Sequence, residues 1–324
     1  VLRDSGNLSA APWTLAGMES ADMRQNGQLA GKKAAEVTEM TSPVNRRLTG
    51  ELSAAAGKVA SLLKAAAPLG VAFSGGVDSS VLLALGVRAL GADHVIAILG
   101  VSPSLGSDER LAAHQVATFI GARLIEVQTR EADNPGYRAN GPDRCFHCKN
   151  ELFTRIADEV AGAYSLKAVA YGENADDAMR PDRPGSRAAT SHKVLRPLAE
   201  AGIGKATVRA IARALQLPSA DMPAAPCLAS RIPHFQEVSA AKLGQIEAAE
   251  KALRGLGFAE LRVRHHGEVA RIELLVGDLV RAVSSPVREQ IHAAVTAAGF
   301  QFAAIDVRGI QSGAFTLTLL RSHD

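Results

Sequence analysis

Short, largely apolar runs at 71–73, 95–99, 124–127 and 168–171 alternate with stretches of helical length at 80–90, 108–120 and 149–161. A strand buried on both faces reads as an unbroken apolar run. A chain returns to a parallel neighbour through a long crossover, usually a helix. The alternation therefore predicts an α/β fold, a doubly wound parallel sheet with helices on both faces. An Ala-rich helix is expected at 48–64, before the first strand, and one more at 204–215. Ser107 stands as the cap candidate for the helix at 108–120.

Past residue 217 the pattern changes. Pro218, Pro223, Pro226 and Pro233 punctuate one stretch. Beyond it the expected order is helix (238–256), two strands (260–265 and 269–276), helix (285–298) and two strands (301–307 and 314–320). We read three parts: a polar segment at 1–48, taken as a disordered tail or an upstream extension of the true start; a parallel-sheet domain at 49–233; and a small α+β domain at 234–324 for substrate or subunit contacts.

Hydrophobic residues make up 47% of the chain and charged ones 21%, enough for real cores. The net charge is only +3 and aromatics are 4%, with no Lys/Arg block and no stacking platform, so nucleic acid is not an expected partner. No apolar run approaches the roughly 20 residues of a membrane helix. The start shows no secretory pattern. The three cysteines are odd in number and suit a reducing compartment, so the expected location is cytoplasmic.

The segment with the most chemistry is Ser74-Gly75-Gly76-Val77-Asp78-Ser79-Ser80, placed between a strand and a helix. Its glycines let the backbone turn with N–H groups inward, and the helix start adds partial positive charge. Ser74, Ser79 and Ser80 add hydroxyls. The result is an anion nest at the carboxyl end of a parallel strand. It lacks the lysine of a Walker loop.

On this loop the chain resembles the PP-loop ATP pyrophosphatases. That resemblance implies ATP and Mg2+, release of pyrophosphate, and Asp78 organising metal and phosphate. Three further segments narrow the resemblance: 171–185 (YGENADDAMRPDRPG), 226–233 (PCLASRIP) and 262–273 (RVRHHGEVARIE), together with Cys145-Phe146-His147-Cys148-Lys149. With these the chain is similar to the LarE-type sulfur transferases of nickel-pincer cofactor synthesis, over about residues 50 to 310. The resemblance implies adenylation of a carboxylate of pyridinium-3,5-biscarboxylic acid mononucleotide and its conversion to a thiocarboxylate. In one subgroup the sulfur comes from the cysteine matched by Cys227, which ends as dehydroalanine. In another, three cysteines hold a [4Fe-4S] cluster that carries the sulfide, and Cys145, Cys148 and Cys227 fit that count. The expected partners are this small nucleotide and further copies of the chain.

Read from the residues alone, the thiols leave several roles open. Cys227 lies four residues before Arg231, and an adjacent guanidinium favours a thiolate. Three thiolates with one open position suit an iron–sulfur cluster. Zinc would need a fourth ligand such as His147 or His192. A redox pair, or packing alone, also fits.

Ser230, Arg231, Arg262 and Arg264 are the candidates for the substrate phosphate, since a guanidinium matches phosphate bidentately. Arg262 and Arg264 alternate on one strand and share a face, whereas His265 and His266 cannot both join them. Asn174, Asp176 and Asp177 follow a sheet strand, as nucleotide contacts or as an Asx cap. Glu250 is a candidate metal or substrate contact, set against a solvated helix glutamate. Other readings are a tRNA thiolase, an ammonia-using amidotransferase needing no cysteine set, and a nucleotide-sensing module.

Overall fold

The structure, a computed structural model, describes residues 43–179, 184–223 and 226–310. Strands β1 (Leu69–Ala72), β2 (Val95–Val101), β3 (Arg123–Gln128) and β4 (Ala168–Tyr171) form one parallel sheet in the order β3-β2-β1-β4. Side chains alternate across it as the pleat requires. Val95, Ala97 and Leu99 join one core with helices α1 (Gly50–Leu63), α2 (Val77–Leu90) and α3 (Ser107–Ile120). Ile96 and Ile98 join another with Phe153, Ile156 and Ala188. Helices thus cover both faces, and the doubly wound α/β sheet read from the alternation is the fold.

Helix α2 is buried almost throughout from Val77 to Val87. That matches a segment apolar on all sides. It starts at the carboxyl end of the central strand β1. Because β2 lies on one side of β1 and β4 on the other, chains leaving these strands diverge there and open a crevice. Two glycines permit the close approach. Gly75 has φ of +75°, and a Cβ there would lie 2.9 Å from Ala113 Cα. A Cβ on Gly172 would lie 2.6 Å from Ser79 N, so only glycine lets the exit of β4 pass the start of α2.

Helix α4 (Arg144–Arg155) begins before the predicted position and runs into a π-helical turn at Ile156–Ala161. Cys145 and Cys148 therefore lie in its first turns. Helix α3 begins at Ser107 itself, with Gly106 as its cap residue and no side-chain cap bond. The Ser107 N–H instead donates to Glu247 Oε1 at 2.6 Å. A carboxylate from another helix here replaces the expected hydroxyl cap. Helix α5 (Lys205–Ala214) agrees with the reading at 204–215.

The rest builds a second sheet. Helix α6 (Ala240–Gly255) is capped by Ser239, whose hydroxyl accepts from Lys242 N at 3.4 Å. It is followed by β5 (Leu261–His266), β6 (Val269–Leu274), helix α7 (Val287–Ala297) and β7 (Phe302–Ile305). The order is β5-β6-β7, with β5 and β6 antiparallel and β6 and β7 parallel. Leu253, Phe258, Val263, Ile272, Ile291 and Phe300 are its core. A short helix at Leu279–Val283 has no counterpart in the sequence reading. The strand expected at 314–320 and most of the 1–48 segment lie outside the described residues.

Candidate active site

The loop after β1 is held by its own hydroxyls. Ser79 Oγ donates to Gly76 O at 3.0 Å and lies 3.2 Å from Ser74 Oγ. Ser80 Oγ donates to Gly76 O at 2.9 Å and to Gly75 O at 3.1 Å. Ser80 is fully buried, so its hydroxyl braces the loop and is not presented to a ligand, contrary to the expectation from the sequence. Ser74, Gly75, Gly76, Val77 and Asp78 line a cavity of about 470 Å³. Ser79 lines a smaller neighbouring cavity together with Ser74, Gly76 and Asp78.

Asp78 joins three segments. Its Oδ1 accepts from Asn174 Nδ2 at 3.0 Å, and its Oδ2 pairs with Lys205 Nζ at 2.5 Å. Asn174 Oδ1 also accepts from Asp177 N at 3.0 Å. Asn174 is thus a helix cap and an Asp78 contact at once. Asp176 Oδ2 accepts from Lys205 N at 2.7 Å, which fixes the start of α5 against this cluster. Lys205 is absent from the sequence-based candidates. Its only signal is a lysine at a helix start, too common to single out.

The same cavity reaches Cys148, Pro226 and Cys227. Two polar side chains stitch the cysteine segments together. Arg144 Nη1 donates to Ala229 O at 2.9 Å and to Asn140 Oδ1 at 2.5 Å. Asn140 Nδ2 donates to Pro233 O at 2.8 Å. Leu228 N donates to Ser104 O at 3.0 Å, tying the 227–233 segment to the loop after β2. Neither Asn140 nor Arg144 stands out in the sequence, although both lie just before the cysteine pair.

The surroundings do not favour a thiolate. Cys227 opens onto the cavity, yet the protein packed around it is the main cause that raises its thiol above the ordinary value, against the opposing charges of Arg144 and Arg231. Burial, and next Glu131, pushes Cys148 up strongly. The expectation that Arg231 would ionise Cys227 is therefore corrected: desolvation outweighs the guanidinium. Cys227 and Cys145 add smaller upward contributions at Cys148, and Cys145 adds one at Cys227. Among the described residues, however, no group of three or more His, Cys, Asp or Glu side chains is arranged to hold a metal ion. His147 turns to Asp143 at 3.1 Å and His192 to Asn150 at 3.0 Å, so neither supplies the fourth ligand zinc would need.

Beside Cys227 stands an arginine cluster. Arg231 is buried and pairs through two nitrogens with Glu250, at 2.9 and 3.2 Å. It also donates to Cys227 O at 3.3 Å and Ser230 Oγ at 3.1 Å. Arg264 pairs in the same way with buried Glu273, at 2.9 and 2.8 Å, and donates to Ser230 O at 3.0 Å. Arg262 is half-buried, and the charges of Arg264 and Arg231 add to burial in lowering its pKa. The shared strand face thus turns toward the Cys227 segment. His265 faces the other way, with Nε2 3.1 Å from Gln245 Oε1 and its ring against Phe300.

Glu250 is not a solvated glutamate: it is fully buried, and also accepts from Val263 N at 3.0 Å. Glu250→Ala would leave Arg231 as a buried, unpaired charge. Breaking such a pair costs roughly 3–5 kcal/mol, so a drop of about that size in unfolding free energy is expected in urea denaturation.

A sequence model of the asparagine synthase family matches residues 53–139, the part that contains the loop and β1 to β3. An uncharacterized protein of Synechocystis sp. is 38% identical over 251 residues, 78% of this chain and 92% of that one. The pyridinium-3,5-bisthiocarboxylic acid mononucleotide synthase of Lactiplantibacillus plantarum is 30% identical over 256 residues, 78% of this chain and 90% of that enzyme. An uncharacterized protein of Methanocaldococcus jannaschii is 29% identical over 204 residues, 63% of this chain and 76% of that one.

Proposed function

The chain belongs to the LarE-type family of ATP-dependent PP-loop sulfur transferases, and from that premise we propose that it adenylates pyridinium-3,5-biscarboxylic acid mononucleotide and converts the carboxylate to a thiocarboxylate. The observation that carries the reading is the single cavity lined by both the Ser74–Asp78 loop and Cys227. An activated carboxylate formed at the loop lies in the same enclosure as a sulfur nucleophile.

In the first step a substrate carboxylate oxygen attacks the α-phosphorus of ATP, and pyrophosphate leaves. Loop N–H groups and the start of α2 stabilise the charge that builds on the phosphates. Mg2+ is commonly held by one or two carboxylates together with substrate phosphates, and Asp78 fits that donor pattern. When bound, the ion neutralises the leaving pyrophosphate. Lys205, paired with Asp78, fixes the carboxylate and adds a positive charge beside it. Asn174 and Asp177 position the other oxygen of Asp78.

In the second step Cys227 Sγ loses its proton, attacks the acyl carbon and displaces AMP, giving a thioester. Loss of the Cys227 Cα proton then breaks the Cβ–S bond. The sulfur stays on the substrate as a thiocarboxylate, and dehydroalanine remains at 227. Ser230 and half-buried Arg262 are the groups that meet the substrate phosphate, while buried Arg231 and Arg264 add positive charge from behind them. Glu250 and Glu273 hold Arg231 and Arg264 in place.

The three thiols have the right chemistry for an iron–sulfur cluster, but the described side chains do not form a metal-holding group, and no step is assigned to one. The test is the mass of the intact protein after one anaerobic turnover. The proposal expects loss of the elements of hydrogen sulfide, mapped to residue 227, in iron-free protein. Repeated turnover on supplied sulfide, with an unchanged chain and iron bound, would contradict it.

A further inference from the structure

Glu131 lies on the wall of the main cavity, and the chemistry above makes no use of it. It begins the 3-10 turn that follows β3 and is only 2% exposed. Its Oε1 accepts a hydrogen bond from Ser102 Oγ at 2.5 Å, and Ser102 Oγ in turn accepts from Ser104 N at 3.2 Å. The carboxyl group is therefore fixed by the loop after β2. Its other oxygen, Oε2, is buried and has no hydrogen-bond partner among the described residues.

A buried polar atom left without a partner has lost its hydration with nothing in return. Such an atom on the wall of a binding cavity marks a place for a donor group of the ligand. A carboxylate repels phosphates, so the part of a nucleotide it can meet is a donor on the sugar or the base. Its neighbours on the wall are Ser102, Ser104 and Thr129, whose hydroxyls both donate and accept. Phe73, Leu99, Leu105 and Leu152 supply apolar wall suited to a base. A carboxyl oxygen among hydroxyls matches a sugar, whose hydroxyls also both donate and accept.

We propose that Glu131 Oε2 accepts a hydrogen bond from a ribose hydroxyl of the nucleotide bound in this cavity, making the site selective for ribonucleotides. The inference rests on the nucleotide-binding reading above. The ribose belongs either to ATP or to the pyridinium mononucleotide, and the chemistry is the same for both.

The test is calorimetric titration, without turnover. The unaltered protein, in magnesium, is titrated with ATP, 2′-deoxy-ATP and 3′-deoxy-ATP. Glu131→Gln, which keeps the size and the bond to Ser102, is titrated with ATP and, separately, with the mononucleotide. A hydrogen bond to a charged group is worth about 1.5–3 kcal/mol. A loss of about tenfold or more is therefore expected for one deoxy analogue, and a similar loss for ATP in Glu131→Gln, whose preference for ATP over that analogue disappears. If the ribose is that of the mononucleotide, its affinity falls by this factor in the variant while ATP is unaffected.

The assignment is overturned if ATP and both analogues bind the unaltered protein alike and the variant binds the mononucleotide as well as the parent does. A deoxy penalty that survives in Glu131→Gln overturns it equally. The analogue titrations need no substitution, so a folding defect in the variant cannot hide the answer. Failure of the unaltered protein to bind ATP at all would instead overturn the nucleotide-binding reading on which the inference depends.

Discussion

Cys227→Ala is expected to abolish thiocarboxylate formation, by about 10³-fold or more, while ATP is still split to AMP and pyrophosphate in the presence of the acceptor. In the proposed reaction the two steps draw on different residues of one cavity. Adenylation needs the loop and Asp78, whereas sulfur transfer needs a thiol at the acyl carbon. The variant retains Arg231 and its pairing with Glu250, because the Arg231 bond to residue 227 goes to the backbone carbonyl. Truncating the thiol thus removes the nucleophile without disturbing the arginine cluster. Pyrophosphate release measured beside mass analysis of the acceptor separates the two steps. Thiocarboxylate made by the variant at the parent rate would assign the sulfur to another group.

Asp78→Ala is expected to lower pyrophosphate release by roughly 10²–10³-fold, the range seen when one preorganised electrostatic contact is removed. Both carboxylate oxygens are engaged, one by Asn174 and one by Lys205. The substitution removes the group that fits Mg2+, frees the exit of β4 from α2, and leaves Lys205 without its ion pair. Asp78→Asn restores the link to Asn174 but not the charge. It should recover folding and little of the rate, which separates a structural role from a metal-binding one. A rate within about threefold of the parent for either variant would remove Asp78 from the chemistry.

The first sheet is legible in the sequence because both of its faces are covered. Each strand then carries an apolar run, and one loop motif marks the turn between β1 and α2, although α2 begins at Val77 within the motif and not at Ser80. The burial of α2 from Val77 to Val87 is written in its own composition. The start of α4 is not legible. Its first turns, Arg144 to Cys148, are polar and cysteine-bearing, and the apolar periodicity becomes clear only further along. The role of Ser107 escapes for a related reason: a local cap rule cannot anticipate Glu247, which arrives from a helix far along the chain.

In the site, Asp78, Asn174 and Cys227 can be singled out because their motifs are local. Lys205, Asn140 and Arg144 cannot, since each acts through long-range bonds and carries no pattern of its own. The arginines are visible, but their pairing with Glu250 and Glu273 is not. Sequence spacing tells which strand face a side chain shares, not which carboxylate waits there. The Cys227 thiol is misjudged from sequence because a nearby arginine is visible there and desolvation is not.

The most direct measurement of the central claim is the identity of the products when ATP, Mg2+ and pyridinium-3,5-biscarboxylic acid mononucleotide are supplied together. AMP and pyrophosphate are expected, formed only with the acceptor present and in step with its adenylation. ADP and orthophosphate as the products would contradict it.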